Sequence, residues 1–207
     1  MRHNHHTKTK TGKTIFLMAG LLLFPGLLLF AQPAKGLFPY VSRAHSMFIE
    51  GTSNLHDWQT KVIKANLTAE FALENNLLNA IGEVVLVADA KSIKSDKGSV
   101  MDGKTHDALK VDKHPTITFR LKQIQSLASA NRVTEIRTVG NLTIAGVTRP
   151  ITMTVFAKLL PNGEVEVWGS QKLKMTDFKV DPPTALMGSI RTGDEIIVRF
   201  DLILKKQ

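Results

Sequence analysis

The chain has 207 residues, 27 Lys and Arg against 18 Asp and Glu, a formal charge of +9, and no cysteine. The missing cysteines exclude disulfides, thiolate catalysis and cysteine zinc sites. Four of the positive charges, Arg2, Lys8, Lys10 and Lys13, fall in the first thirteen residues, and the rest form no basic stripe interleaved with aromatics, which argues against nucleic-acid binding.

The polar, basic start is followed by an almost unbroken apolar run over residues 14–30 and by small residues at Ala31 and Ala34. This is the pattern of a secretory signal peptide, assigned here to residues 1–31. Pro25 and Gly26 break a straight span. The run nonetheless approaches the ~20 residues of a membrane helix, so an uncleaved anchor is the alternative. Both arrangements place the rest of the chain outside the cytoplasm, in the periplasm or beyond. Residues 32–42, with Gly36 and Pro39, read as a connector. Residues 43–207 are long enough for one domain with a full core.

From residue 43 onward the hydrophobic period is mostly two, the signature of strands buried on one face. Residues 43–51 set His45, Met47 and Ile49 against Ser46, Phe48 and Glu50. Residues 61–73 put Ile63, Ala65, Leu67, Ala69, Phe71 and Leu73 on one face. Further strands are expected over 81–90, 116–124, 133–144, 151–160, 164–175 and 195–205. Pro161-Asn162-Gly163 and Ala145-Gly146 are turn signals between neighbouring strands. Residues 101–110 depart from this pattern, because Met101, Thr105, Ala108 and Leu109 share one face of a short helix. The expected fold is all-β: an antiparallel eight-stranded barrel with one short helix, closed so that no sheet edge is exposed.

An eight-stranded barrel holds either its own side chains or one ligand. The inward positions mix Phe71, Phe119 and Phe200 with small residues, Ala65, Ala69, Ala80, Gly82 and Gly169, which leave room. Alternation assigns Phe71, Phe119, Leu142, Met153 and Val167 to the lining, with Trp58, Leu109, Phe178 and Met187 closing one end. His56, His106, Arg149 and Arg191 are the polar groups expected near a ligand head group. All these assignments invert with a one-residue slip.

Ser53, His56 and Asp57 form the densest polar cluster. They could be a nucleophile with an oriented base, or a turn whose polar side chains bond to local backbone while Trp58 plugs a barrel end. His3, His5 and His6 lie in the leader. His45, His56, His106 and His114 match no zinc spacing, and no glycine-rich loop opens a helix, so neither metal nor cofactor is expected. The segment 175–193, stiffened by Pro182 and Pro183 and carrying Phe178, Leu186 and Met187, is either a lid over the barrel mouth or a plug.

Several blocks together resemble the YceI-like family of exported lipocalin-like proteins. They are Ser46-Met47-Phe48-Ile49-Glu50-Gly51-Thr52-Ser53 leading to His56-Asp57-Trp58; Ala108-Leu109-Lys110 with His114-Pro115-Thr116-Ile117-Thr118-Phe119; and the stretch from Gly140 to Pro150. Met175-Thr176-Asp177-Phe178 and the run from Thr192 to Val198 complete the set. The resemblance implies an eight-stranded barrel with an elongated apolar cavity that binds amphiphilic chains, notably polyisoprenoids, in the periplasm. The chain departs from the commoner pattern at residues 108–114 and 181–188, both where a ligand would enter.

Three readings follow. The first is a carrier that stores or transports an amphiphilic lipid, exchanging it at a membrane surface. The second is a non-catalytic interaction or stress-response domain of the envelope with a filled barrel. The third is a hydrolase using His56 or His106 with Asp57. The first ranks highest, which makes the protein a binder and not an enzyme.

Overall fold

The computed structural model describes Met1 and residues 36–207; the expected leader falls outside the described residues. Residues Lys35–Gln207 form one compact unit that contains every strand and core residue described below. Its eight principal strands are β1 (Phe38–Ser53), β3 (Ala65–Glu74), β4 (Leu77–Asp89), β6 (Thr116–Ala130), β7 (Val133–Ile144), β8 (Val147–Leu159), β9 (Val165–Lys174) and β11 (Ile190–Lys206). Each pairs antiparallel with the next, and β11 returns to pair with β1 from Tyr40↔Lys206 to Ser53↔Thr192. The ring is therefore a closed antiparallel eight-stranded barrel. Three short strands, β2 (Trp58–Val62), β5 (Ile93–Ser95) and β10 (Thr184–Ala185), extend it at one end, beside α1 (Ser99–Leu109), the one α-helix among the described residues.

Local chemistry explains the meander. Asn75-Asn76, Asn131-Arg132 and Ala145-Gly146 each join two strands as two-residue loops with both residues at positive φ. That backbone matches the right-handed twist of paired strands, and asparagine and glycine adopt it at the lowest cost. The β8–β9 turn closes as the Leu160 N–H donates to the Glu164 carbonyl and the Gly163 N–H to the Leu160 carbonyl, and it places Gly163 at φ 82°.

The expected single strand over 61–73 is two strands. Val62 and Ala65 face inward, whereas Ile63 is 47% exposed. The chain turns a corner at Ile63 and Lys64, whose backbone N–H groups donate to the carbonyl and hydroxyl of Ser92, while the Lys64 carbonyl accepts from Asp89. The corner lets β2 and β3 pair with successive halves of the long strand β1. β1 also starts at Phe38, inside the stretch expected to be a connector.

A second correction concerns β4. Ala69 pairs with Val84 but Phe71 pairs with Ile81, so β4 carries an extra residue there. Such a bulge reverses the alternation. Ala80 is exposed, and a side chain at Gly82 would meet Glu70 and Leu37, so neither small residue opens the interior.

The core fills the barrel unevenly. At the end holding the 131–132 and 160–164 turns, Tyr40, Leu67, Phe71, Leu78, Ile136, Val165, Leu202 and Leu204 pack together, with the Tyr40 and Phe71 rings 5.2 Å apart. Toward α1, Phe119, Leu142, Ile144, Leu173, Phe178 and Val180 make a second cluster, and Met47, Val62, Ala88 and Ile93 a third. Between these clusters the barrel is hollow.

Candidate ligand cavity

The hollow has a volume of about 490 Å³, inside the ~300–1,000 Å³ range of small-ligand sites. Its wall is built by alternation. β6 contributes Ile117, Phe119 and Leu121, β7 contributes Ile136, Thr138, Leu142 and Ile144, and β11 contributes Ile196, Val198, Phe200 and Leu202. On β7 the lining runs from Ile136 to Ile144, about 27 Å of strand, or roughly 20 Å along the axis of a barrel whose strands tilt ~40°. The cavity is thus long and narrow, with the shape of an extended chain.

Room is made by pairing aromatic rings with glycines inside the wall. A side chain on Gly140 would overlap the Phe119 ring, one on Gly51 would overlap Trp58, and one on Gly169 would lie 2.9 Å from Phe200. In each pair the ring lies over a neighbouring strand and leaves the barrel axis less crowded.

The mouth lies between the β1–β2 turn, α1 and the segment joining β9 to β11. Met101, Lys104, Thr105, Ala108 and Leu109 present one face of α1 to the cavity. The helix is seated by Asp102, which is 8% exposed and accepts from the Ser95 backbone N–H at 2.7 Å and from Lys94 Nζ at 3.1 Å. The Ser95 bond, followed by the Lys94 charge, holds the Asp102 carboxyl below its ordinary pKa. His106 lies on the side away from the cavity and donates from Nε2 to the Ile93 carbonyl at 3.0 Å.

The segment 175–193 is plug and projection together. Phe178 and Val180 are 2% and 3% exposed and pack into the cluster beside Leu142. Asp194 fixes this turn by accepting from the Thr176 N–H at 2.9 Å and the Thr176 hydroxyl at 2.7 Å, and these bonds lower its pKa. Beyond it the chain reverses outward: Leu186 is 73% exposed and Met187 fully exposed. Asn54 clasps the returning strand, donating to the Ser189 carbonyl and accepting from the Arg191 N–H, both at 2.8 Å.

Of the residues singled out from sequence, Phe71, Phe119, Leu142, Met153, Val167, Trp58, Leu109, Phe178 and His56 border the cavity. Four do not. Met187 points to solvent because its backbone and that of Leu186 adopt positive φ, turning the tip away from the barrel. His106 anchors the helix. Arg149 Nε donates to the Asp177 carbonyl and Arg191 Nε to the Gly188 carbonyl, so both brace the loop from outside.

Among the described residues, the lysines that border the cavity are Lys97, Lys104 and Lys174, and no carboxylate lines it. Lys104 had a legible signal, since it lies three residues after Met101 and four before Ala108 on the same helical face. Lys97 sits in the turn after β5, and Lys174 ends β9 at a position that alternation points outward. The Ser53 hydroxyl donates to the His56 carbonyl at 2.7 Å and accepts from the backbone of Leu55 and His56, while His56 Nδ1 lies 2.8 Å from the Asp57 carbonyl. The cluster is a turn with Trp58 at the mouth.

The profile of the YceI-like domain matches residues 42–204. The chain belongs to the YceI-like family. A UPF0312 protein of Pseudomonas aeruginosa is 34% identical over 85 residues, 37% of this chain and 40% of that protein, so the similarity spans well under half the length of this curated relative. Two solved structures share the fold at low identity. A polyisoprenoid-binding domain from Saccharophagus degradans, implicated in plant cell wall breakdown, superposes with TM-score 0.62 at 16% identity, covering 83% of this chain and all of that one. BcnA of Burkholderia cenocepacia superposes with TM-score 0.58 at 18% identity, covering 77% and 95%.

Proposed function

We propose that this YceI-like protein is an exported binding protein, not a catalyst, that stores or carries an amphiphilic lipid of the isoprenoid or fatty-acyl kind. The observation that carries the reading is the cavity itself: long, about 490 Å³, walled by apolar side chains and cationic at its mouth. A barrel filled by its own side chains, as an interaction domain would have, is not what the fold contains. The polyisoprenoid-binding domain of similar fold accords with this reading.

The energetics are sufficient. Each methylene moved from water into the cavity contributes about 0.8 kcal/mol. A dozen therefore supply about 10 kcal/mol, from which association and ordering costs are subtracted before micromolar binding, about −8 kcal/mol, is reached. A chain with about fifteen or more buried carbons meets that requirement at the lower end of those costs. The head group stays at the mouth, where Lys97, Lys104, Lys174 and His56 favour an anion such as a phosphate or carboxylate.

The test is native mass spectrometry of residues 35–207 purified without detergent, then offered geranylgeranyl phosphate, geranylgeraniol and palmitate. Stoichiometric uptake of a prenyl or acyl chain, with the phosphate preferred over the alcohol, is expected. No uptake of any of the three overturns the reading.

A further inference from the structure

Four of the large apolar side chains most exposed on the folded domain stand around the cavity mouth. Leu55 is 64% exposed on the β1–β2 turn, Val100 73% on the first turn of α1, and Leu186 and Met187 73% and fully exposed on the segment before β11. Each has close chain neighbours in the cavity lining: His56 and Trp58, Met101, and Ala185 and Ile190. The elements are tied together as a rim. Asn54 bonds to Ser189 and Arg191, and Lys104 Nζ donates to the Thr184 carbonyl at 2.8 Å.

The backbone at the tip opposes the burial that folding alone would favour. Leu186 and Met187 hold φ 46° and 56°, followed by Gly188 at 87°. Two successive non-glycine residues in the left-handed region carry a conformational cost. Here that cost is spent displaying two large apolar side chains to water, when Phe178 and Val180, a few residues earlier, are fully buried. Such an arrangement is favourable when the tip has an apolar phase to enter.

We infer that the mouth rim docks on a phospholipid bilayer, with Leu55, Val100, Leu186 and Met187 entering the interface and the cationic mouth facing anionic head groups. The inference deepens the carrier reading and rests on it for its purpose, because a docked mouth passes a lipid between membrane and barrel without exposing the chain to water. The charge of the mouth is complementary: among the described residues its lining bears Lys97, Lys104 and Lys174 and no acid. Asp96, 3.5 Å from Lys97, and the nearby Asp57 offset part of that charge. The apolar tips therefore set most of the affinity, and anionic lipid and low salt strengthen it.

The chain has no cysteine, so single labels are clean. In residues 35–207, an environment-sensitive fluorophore on Met187→Cys should shift to the blue with phosphatidylcholine vesicles containing phosphatidylglycerol. The same label on Ala128→Cys, beside the 131–132 turn at the far end of the barrel, should not. The triple variant Leu55→Ser, Leu186→Ser, Met187→Ser should bind these vesicles at least about tenfold more weakly in co-sedimentation. Its uptake of palmitate from solution should match the parent's, which separates loss of docking from loss of the cavity. No vesicle binding by the parent, equal binding by the triple variant, or a rim shielded instead by dimerisation in sedimentation velocity would overturn the inference. Failure of the parent to take up palmitate, geranylgeraniol and geranylgeranyl phosphate alike would sink the carrier reading and leave docking to be judged on the vesicles alone.

Discussion

The ring of Phe119 on β6 occupies the space that a side chain on Gly140 of β7 would need, with the Arg120 carbonyl also close by. Two strands thus share one volume, and the glycine keeps the ring against the wall. Gly140→Ala forces either the ring into the cavity or the strands apart. Overpacking of this kind costs about 1–3 kcal/mol, which lowers the melting temperature by several degrees in a domain of this size. Thermal denaturation followed by circular dichroism checks this; an unchanged melting temperature would mean that the ring moves freely.

Filling the hollow should separate binding from stability. Met153 borders the cavity from β8 and is only partly buried. Met153→Trp places an indole in the chain's path, and affinity for palmitate should fall at least about tenfold while the melting temperature holds or rises. Fluorescence titration beside calorimetry reads both. Retained affinity would place the ligand elsewhere.

The mouth lysines should discriminate between head groups. Lys97 and Lys174 are solvent-exposed, so each contributes modestly to holding an anion, about twofold to fivefold in affinity. Lys97→Gln with Lys174→Gln should weaken geranylgeranyl phosphate by the combined factor, less at high salt, and leave geranylgeraniol unaffected. Equal loss for phosphate and alcohol would count against a charge effect.

Acid should loosen the helix at the mouth. Asp102 holds α1 against β5, and its carboxyl pKa is lowered in the folded state, first by the Ser95 N–H and then by Lys94. A lowered folded pKa means that the stabilisation is complete above the unfolded value of 3.8 and is lost as pH falls through the lowered value. Asp102→Asn should cost about 1–2 kcal/mol at neutral pH and flatten the acid limb of the stability profile. Urea denaturation between neutral pH and about pH 3 measures the difference, and parallel profiles for the two proteins would refute the assignment.

The barrel was legible because two-residue alternation survives along β7, β8 and β9 and over the stretches of β1, β6 and β11 between their bulges, each with a mostly polar outer face. It failed where the chain breaks phase. Ile63 sits at a corner set by the distant Ser92, and Gly82 lies in a bulge set by its pairing with β3; neither cause is local in sequence. Phe71, Phe119, Leu142, Met153 and Val167 fall on the cavity wall because they follow the strand period. At the rim, Lys97 and Met187 lie in turns whose geometry depends on tertiary contacts, and Lys174 reaches the mouth from the end of β9, where the period points it outward. Lys104 is different: the helical period already placed it beside Met101 and Ala108.

The pairing of β1 with β11 also governs when the domain can exist. Every other ring partnership joins strands close in sequence, but Tyr40 meets Lys206, and the Gln207 N–H reaches the Pro39 carbonyl. The cylinder stays an open sheet with two raw edges until its last strand arrives. Contacts of such high sequence separation form late and slowly. A growing chain accordingly remains uncommitted to the closed barrel until β11 has emerged. The adjacency of the two strand ends also means that a short linker between them, with new termini cut at Pro161-Asn162, would rebuild the same cylinder in a different order of assembly.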